Sequence, residues 1–464
     1  MADTRKHALA VCLTAAFMSG LDVSIVNVAL PSIKEGLHAA SEAGLQWILS
    51  GYALTFGLSL VPGGRLGDAR SRRAVFMWGV GLFTLASAAC GLAPSMPVLI
   101  VARLLQGLAA GMINPQVSGL IQQMFRGAER GRAFGALGAT IGVSTAAGPL
   151  IGGALVSAFG VDHGWRLVFL VNVPIGLVLV PLAHRLLPPP ERADGRAESM
   201  DPVGVLLLGV GVSVLLLPFI QQQQWPGAGK WLLVPASLAL LVGFVAWERR
   251  YRREPLVDLT LFRLRSYGLG TAIALLYFAG FTGIFFIFTL YLQSGLHYSP
   301  LLAGLSITPF AVGSAGAALV GGRLVSRAGR RVVVIGLVTV VAGLLATMAA
   351  TLLMPGPHVA LATALPLLVA GIGSGLTIAP NQAVTLSEVP PAGGGSAAGV
   401  LQTGQRLGSS IGIAAAGSLF FGALGEGWAV AFRHGLMVVV LFVCAALAAA
   451  LYDLLRPYMK RDRS

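Results

Sequence analysis

Acidic side chains are scarce: the 464-residue chain has 18 Asp and Glu against 32 Lys and Arg, and charged residues of both signs make up only 11%. A soluble domain of this length needs more ionic groups to cover its surface, and disorder is excluded by the same shortage of charge. Cysteine is almost missing. Cys12, Cys90 and Cys444 are scattered in apolar runs without CxxC or zinc-ligand spacing, so they read as packing residues. The histidines fall at loops or helix ends, and no metal site is expected. No GxxxxGK[ST] loop occurs, so direct use of ATP is unsupported. "GSSIG" at 408–412 fits the GxSxG pattern but lies inside an apolar run, not on a strand-to-helix turn, so no enzyme is expected.

What is abundant is apolar surface. Hydrophobic residues reach 56%, glycine numbers 61, and mean hydropathy is +0.80, the profile of a chain dissolved in lipid. A spanning helix needs roughly 20 apolar residues, because each backbone polar group must be paired inside hydrocarbon. Such stretches lie near 8–30, 45–63, 74–93, 97–122, 134–159, 167–187, 203–220, 231–247, 267–292, 301–320, 332–354, 358–381, 396–422 and 435–455, fourteen in all. The first is expected to be a retained span and not a cleaved signal.

Basic residues test this count. With both termini in the cytoplasm, 26 of the 32 Lys and Arg fall in predicted inner segments, Lys34, Arg166, Lys230 and Arg433 fall in outer ones, and Arg103 and Arg406 lie within spans. That asymmetry is the positive-inside signature, so the excess charge reports topology and attraction to anionic lipid. Nucleic-acid binding is not expected.

An internal repeat sets the domain plan. "GGRLGDARSRR" at 63–73 recurs as "GGRLVSRAGRR" at 321–331, each joining one predicted span to the next. The copies occupy equivalent places if spans 7 and 8 are an insertion. The chain then reads as a six-helix half (1–187), two extra spans with flanking linkers (188–266) and a second six-helix half (267–464). "PPPERADGRAES" at 188–199 and "ERRYRREP" at 248–255 bracket the insertion. Two related halves around a central site is the plan of secondary transporters that rock one half against the other.

"LDVSIVNVALP" at 21–31 places an acid, Asp22, deep in an apolar run. On span 4, Arg103, Gln106, Gly107, Ala110 and Asn114 follow helical spacing along one face. By helical rise Arg103 lies about 9 Å from Pro97 and Asp22 about 13 Å from Pro31, so acid and base share a depth in the outer half. A permanent salt bridge between spans 1 and 4 is the structural alternative to proton coupling, which the cost of intramembrane charge favours. Asp22 is expected to be the only acid within the spans, with no carboxylate in the helices of the second half. Span 13 carries a second polar stripe of Gln402, Gln405, Arg406 and Ser409, which either lines a cavity or bonds neighbouring helices. Tyr277, Tyr291, Asn381 and Gln382 are weaker candidates of the same kind.

These motifs together resemble the major facilitator superfamily, and specifically its fourteen-span drug:proton antiporter family. "GRLGDARSRR" at 64–73 resembles the family's GxLaDrxGrr loop, "RLLQG" at 103–107 its RxxqG motif, and "GPLIGG" at 148–153 the antiporter motif GPxxGG. "LDVSIVNVALP", "WRLVFLVNVPIG" at 165–176 and "PLVDLTLF" at 255–262 add the fourteen-span signature. The resemblance implies an all-α integral membrane protein of the major facilitator fold, with 14 transmembrane helices in a 6 + 2 + 6 order. It implies a monomer in the cytoplasmic membrane, without cofactor, that exports small lipophilic compounds in exchange for protons. Asp22 and Arg103 would couple the proton, and Asp68 with Arg72 and Arg73 would form a conformational latch. Gly148, Pro149, Gly152 and Gly153 would be the antiporter motif, with Gln106, Asn114, Gln402, Gln405 and Arg406 lining the substrate cavity. Ser71 and Ala69 depart from the family's glycine and arginine, and Ser326 stands where the second copy would repeat Asp68. A facilitator or symporter on the same fold, and a non-transporting receptor or assembly protein, are the alternatives.

Overall fold

Apolar runs of this length have one local way to pair their amides in lipid, and the chain takes it. The computed structural model describes residues 2–37, 42–189, 201–220, 225, 227–251, 255–354, 356 and 358–461, and among them it contains helices and no strand. Most of the predicted linker at 188–199, and residues 252–254 of the second, lie outside the described residues.

Fourteen α-helices follow one another among the described residues. The first six are α1 (Ala2–Gly36), α2 (Glu42–Ala69), α3 (Arg72–Gly91), α4 (Met96–Met124), α5 (Gly127–Leu170) and α6 (Asn172–Leu186). Next come α7 (Pro202–Ile220) and α8 (Leu233–Arg250). The last six are α9 (Arg265–Leu290), α10 (Pro300–Ala328), α11 (Arg330–Leu353), α12 (Val359–Thr385), α13 (Gly394–Gly422) and α14 (Trp428–Arg461). Each follows one predicted apolar stretch. The helical run breaks at Gly160, whose φ of +76° suits a residue without a Cβ, and the segments Gly127–Gly160 and Asp162–Leu186 on its two sides match the fifth and sixth predicted stretches.

Twelve helical segments among the described residues are long and apolar enough to cross a membrane, two fewer than the fourteen spans expected. In α7 the apolar run, Pro202–Leu215, is too short to count. α13 is not among the twelve either; its middle carries Gln402, Thr403, Gln405, Arg406, Ser409 and Ser410, which dilute its hydropathy. The protein is a multi-pass membrane protein.

The chain forms two compact units, and neither is one continuous stretch. The first comprises Met1–Met124, Ala147–Leu259 and Pro390–Thr403; the second comprises Phe125–Ala146, Thr260–Val389 and Gly404–Ser464. In the first, α2 and α4 meet through small residues. A Cβ added to Gly111 would lie 1.9 Å from Ser59 Oγ and 2.5 Å from the Phe56 carbonyl oxygen. Two hydroxyls tie the same helices, Thr55 Oγ1 donating to the Leu104 carbonyl at 2.8 Å and Ser59 Oγ to that of Leu108 at 3.0 Å. Lipid offers no hydrophobic drive between helices, so close packing and such bonds hold them. The second unit packs α12 against α10 and α11 and α14 against α9, around a cluster that includes Phe288, Phe310, Phe420 and Phe432.

One expectation is corrected here. Asp453 is a carboxylate on α14, inside a predicted span of the second half, and it pairs with Arg265 (Nε to Oδ1, 2.7 Å) and Arg330 (Nε to Oδ2, 2.7 Å). Its place near the end of α14 lets two arginines at the starts of α9 and α11 reach it, which makes a charge at that depth tolerable.

Gly111→Ala is expected to lower stability by roughly 1–3 kcal/mol through overpacking against α2. Gly81→Ala, where nothing lies within 4 Å of the added Cβ, is expected to leave stability unchanged or raise it by up to about 1 kcal/mol. Thermal unfolding of the purified variants in detergent distinguishes the two.

Candidate functional site

Asp22 lies on α1 between the buried neighbours Leu21, Ile25 and Val26, which seat this face of the helix in the first unit. The carboxylate is 0% exposed and the Arg103 side chain of α4 is 1% exposed. Arg103 Nη1 donates to Asp22 Oδ2 at 2.7 Å. Gln106 Nε2, one turn along α4, donates to Asp22 Oδ1 at 2.8 Å, and Asn172 Nδ2 at the start of α6 donates to the same oxygen at 3.1 Å. Ser87 Oγ of α3 accepts from both Gln106 and Asn172 at 3.1 Å and donates to the Phe169 carbonyl at 2.8 Å. Four helices, α1, α3, α4 and α6, are thus pinned by one acid.

Arg103 is held as closely as the acid. Its Nε donates to the Ile48 carbonyl at 3.2 Å, its Nη1 also reaches Gln106 Oε1 at 2.7 Å, and its guanidinium carbon lies 4.1 Å from the centre of the Tyr52 ring. A buried ion pair repays desolvation only when further hydrogen bonds satisfy both partners, and this one meets that condition. The cluster sets an acid with two acceptor oxygens against one fixed cation and neutral amide donors.

The sequence stripe on α4 divides in the structure. Gln106, expected at a substrate cavity, is 0% exposed and belongs to the Asp22 cluster. Asn114 is half-buried and donates to its own helix at Ala110 (2.9 Å) and to Ser19 Oγ of α1 (3.5 Å). Gln402 Nε2 reaches Ser118 Oγ at 3.3 Å, also within the first unit. Gln405 and Arg406 are half-buried further along α13, where that helix belongs to the second unit. Ser87, Asn172 and Tyr52 are cluster members that sequence reasoning missed. Asn172 carried a signal, as an amide inside the apolar motif "WRLVFLVNVPIG" at 165–176.

The glycines at 148–153 pack on the helix that carries the acid. A Cβ on Gly148 would fall 2.0 Å from Ser24 Oγ and one on Gly152 2.9 Å from Ile25 Cγ1, two and three residues beyond Asp22. Pro149 lies within α5, and Gly153 faces open space.

A second polar cluster surrounds Asp68. Its Oδ1 accepts from Arg72 Nε at 2.9 Å and Nη2 at 2.6 Å, and from the Gly395 amide at 3.0 Å; its Oδ2 accepts from the Ser396 amide at 2.7 Å and hydroxyl at 2.8 Å. Asp68 therefore caps the first turn of α13, an anion set at the positive end of a helix dipole. Arg72 Nη2 also donates to the carbonyls of Pro391 and Ala392, just before α13. Arg73 is half-buried beside this set. In the repeat, Ser326 bonds back to its own helix at Arg323, and Arg330, the counterpart of Arg72, takes its carboxylate from Asp453.

The described residues form membrane-length helices with no strand, and a buried acid meets an arginine between two of them, an arrangement that suits a membrane transporter. A family model for the Major Facilitator Superfamily matches residues 12–413 and again 270–464, and the chain belongs to that superfamily, in its drug:proton antiporter family. It is 40% identical to a probable actinorhodin transporter of Streptomyces coelicolor, over 91% of this chain and 73% of that protein. It is 36% identical to the multidrug resistance protein Stp of Mycobacterium tuberculosis (87% and 73% covered) and 35% identical to the puromycin resistance protein pur8 of Streptomyces alboniger (90% and 82% covered). Among solved structures it resembles the human organic anion transporter MFSD10, with a TM-score of 0.69 at 14% identity over 96% of this chain and 99% of that one. The proton:xylose symporter XylE gives a TM-score of 0.64 at 17% identity over 97% and 95%. These structural likenesses establish the fold.

Arg103→Ala leaves Asp22 buried and unpaired, and is expected to destabilise the protein by roughly 3–5 kcal/mol. Adding Asp22→Asn removes the orphaned charge and is expected to recover part of that loss. A double-mutant cycle measured by thermal unfolding checks both.

Proposed function

We propose that this protein exports small lipophilic compounds, such as antibiotics or related metabolites, in exchange for protons, and that Asp22 is the group whose protonation alternates. The observation that carries the reading is the fully buried acid bonded at once to Arg103, Gln106 and Asn172. Protonation of Asp22 weakens its hold on Arg103 and on the amides from α4 and α6, so a change of charge is translated into a change in how α1 is held. Loss of the proton restores the ion pair. Because binding coupling is reciprocal, substrate and proton then oppose one another. Relatives named for actinorhodin transport and puromycin resistance support antibiotics and related metabolites as the substrate class.

The remaining parts follow the same proposal. All fourteen helices cross the cytoplasmic membrane of a monomer, α7 and α13 included, with both termini cytoplasmic, a reading that the Lys and Arg distribution supports. Residues 1–187 and 267–464 are the two functional halves and 188–266 the insertion. Asp68, Arg72 and Arg73 latch the start of α13 in one state of the cycle, while Gly148, Pro149, Gly152 and Gly153 let α5 slide along α1. Asn114, Gln402, Gln405 and Arg406 contact substrate, and Gln106 serves the acid. The proton gradient supplies the energy without a cofactor.

In sealed vesicles loaded with substrate, Asp22→Asn is expected to cut pH-gradient-driven transport by about tenfold or more while substrate still binds. Gradient-driven transport at the wild-type rate by a folded D22N protein overturns the role of Asp22. Asp68→Asn is expected to slow transport while leaving the pH dependence of substrate binding unchanged, since it removes the latch and not the acid.

A further inference from the structure

Asp22 is not the only deeply buried acid in the first unit. Asp201, just before α7, is 1% exposed, and Glu248, in the last turn of α8, is 5% exposed. Their carboxyls converge beside Gly204: a Cβ on that glycine would lie 2.3 Å from Asp201 Oδ2 and 2.8 Å from Glu248 Oε1. The space where the two acids meet exists because residue 204 has no side chain.

Neutral groups supply the hydrogen bonds that these oxygens accept. Trp247 Nε1 donates to Asp201 Oδ2 at 2.8 Å, and the Leu256 amide donates to Glu248 Oε1 at 3.2 Å. The other oxygens, Asp201 Oδ1 and Glu248 Oε2, are buried without a hydrogen-bond partner among the described residues. Among the described residues Arg65, from α2, is the cation that faces Glu248, and the segment after α8 faces it with the amides of Leu256 and Val257. Arg249, Arg250 and Asp258 are exposed.

Among the described residues, two carboxylates beside one guanidinium leave one negative charge in excess in a buried place, with two oxygens that accept no hydrogen bond. Like-charged carboxyls this close do not both ionise at neutral pH in a low dielectric. A single proton on one of them supplies the missing donor, removes the excess charge and bonds the acids to each other. We propose that Asp201 and Glu248 form a second proton-binding site, in which one proton shared by the two carboxyls ties the start of α7 to the end of α8 beside Arg65. Its release puts two like charges at the base of this helix pair and loosens it from α2, one turn from Asp68 along that helix. The site does not depend on the role of Asp22.

Infrared titration of the full-length purified protein tests the site through the carbonyl stretch of a protonated carboxyl. In a D22N background, which removes any contribution of Asp22, one protonated carboxyl is expected at pH 7. Adding Glu248→Gln is expected to remove that band. Adding Asp201→Asn, which leaves Glu248 alone beside Arg65, is expected to lower the pH of deprotonation by about one unit or more. Absence of the band at pH 7 in D22N overturns the site, as does a band that survives both additions unchanged. If neither addition folds, D22N alone decides: a band at pH 7 supports the site and its absence overturns it.

Discussion

The first unit depends on the contact between Asp22 and Arg103. Neither residue is tolerable alone at its depth, so each is present on condition of the other. The condition spreads outward. Arg103 needs the Ile48 carbonyl and the Tyr52 ring, Asp22 needs Gln106 and Asn172, and these amides need Ser87. A single charge thereby fixes the relative register of α1, α3, α4 and α6. The glycines of α5 press on α1 within one turn of the same acid. Any motion that changes the state of Asp22 is therefore felt by six helices of this unit, α1 to α6.

Some of this was legible in the sequence. Asp22 and Arg103 are conspicuous because charge is rare in apolar runs, and a fixed rise per residue places them at one depth by counting along their helices. Gln106 was legible as a polar residue but not as a servant of the acid, since spacing along α4 does not distinguish a partner on α1 from a cavity. Ser87 and Asn172 join from α3 and α6, and a single serine or asparagine in an apolar helix has no sign to mark its partner. Asp453 lies near the end of its apolar run, where local sequence does not distinguish a buried acid from a solvated one. Its partners Arg265 and Arg330 are 188 and 123 residues away in the chain, beyond the reach of local pattern.

The fold divides in a similar way. Fourteen apolar stretches became fourteen helices because periodicity and length are local properties. Hydropathy alone sets α7 and α13 apart, one for the shortness of its run and the other for its polar middle. The division into two discontinuous units was not legible, because it depends on which side chains interlock across hundreds of residues. The latch was half legible. Asp68 and Arg72 announce themselves, but their partners on the far side are backbone groups of residues 391, 392, 395 and 396, and a backbone amide leaves no mark in a sequence.

The repeated loop shows how a duplicated part can keep its arginine and change the origin of its acid. In the first copy the carboxylate and its arginine are four residues apart, so one short segment carries both. In the second copy the acid lies on the last helix, 123 residues from Arg330, so the bond is made only once α11 and α14 pack together. The loops are thus not interchangeable modules. Moving the first copy into the place of the second would bring a redundant acid to an arginine already satisfied by Asp453, whereas the reverse exchange would leave Arg72 with no acid at all.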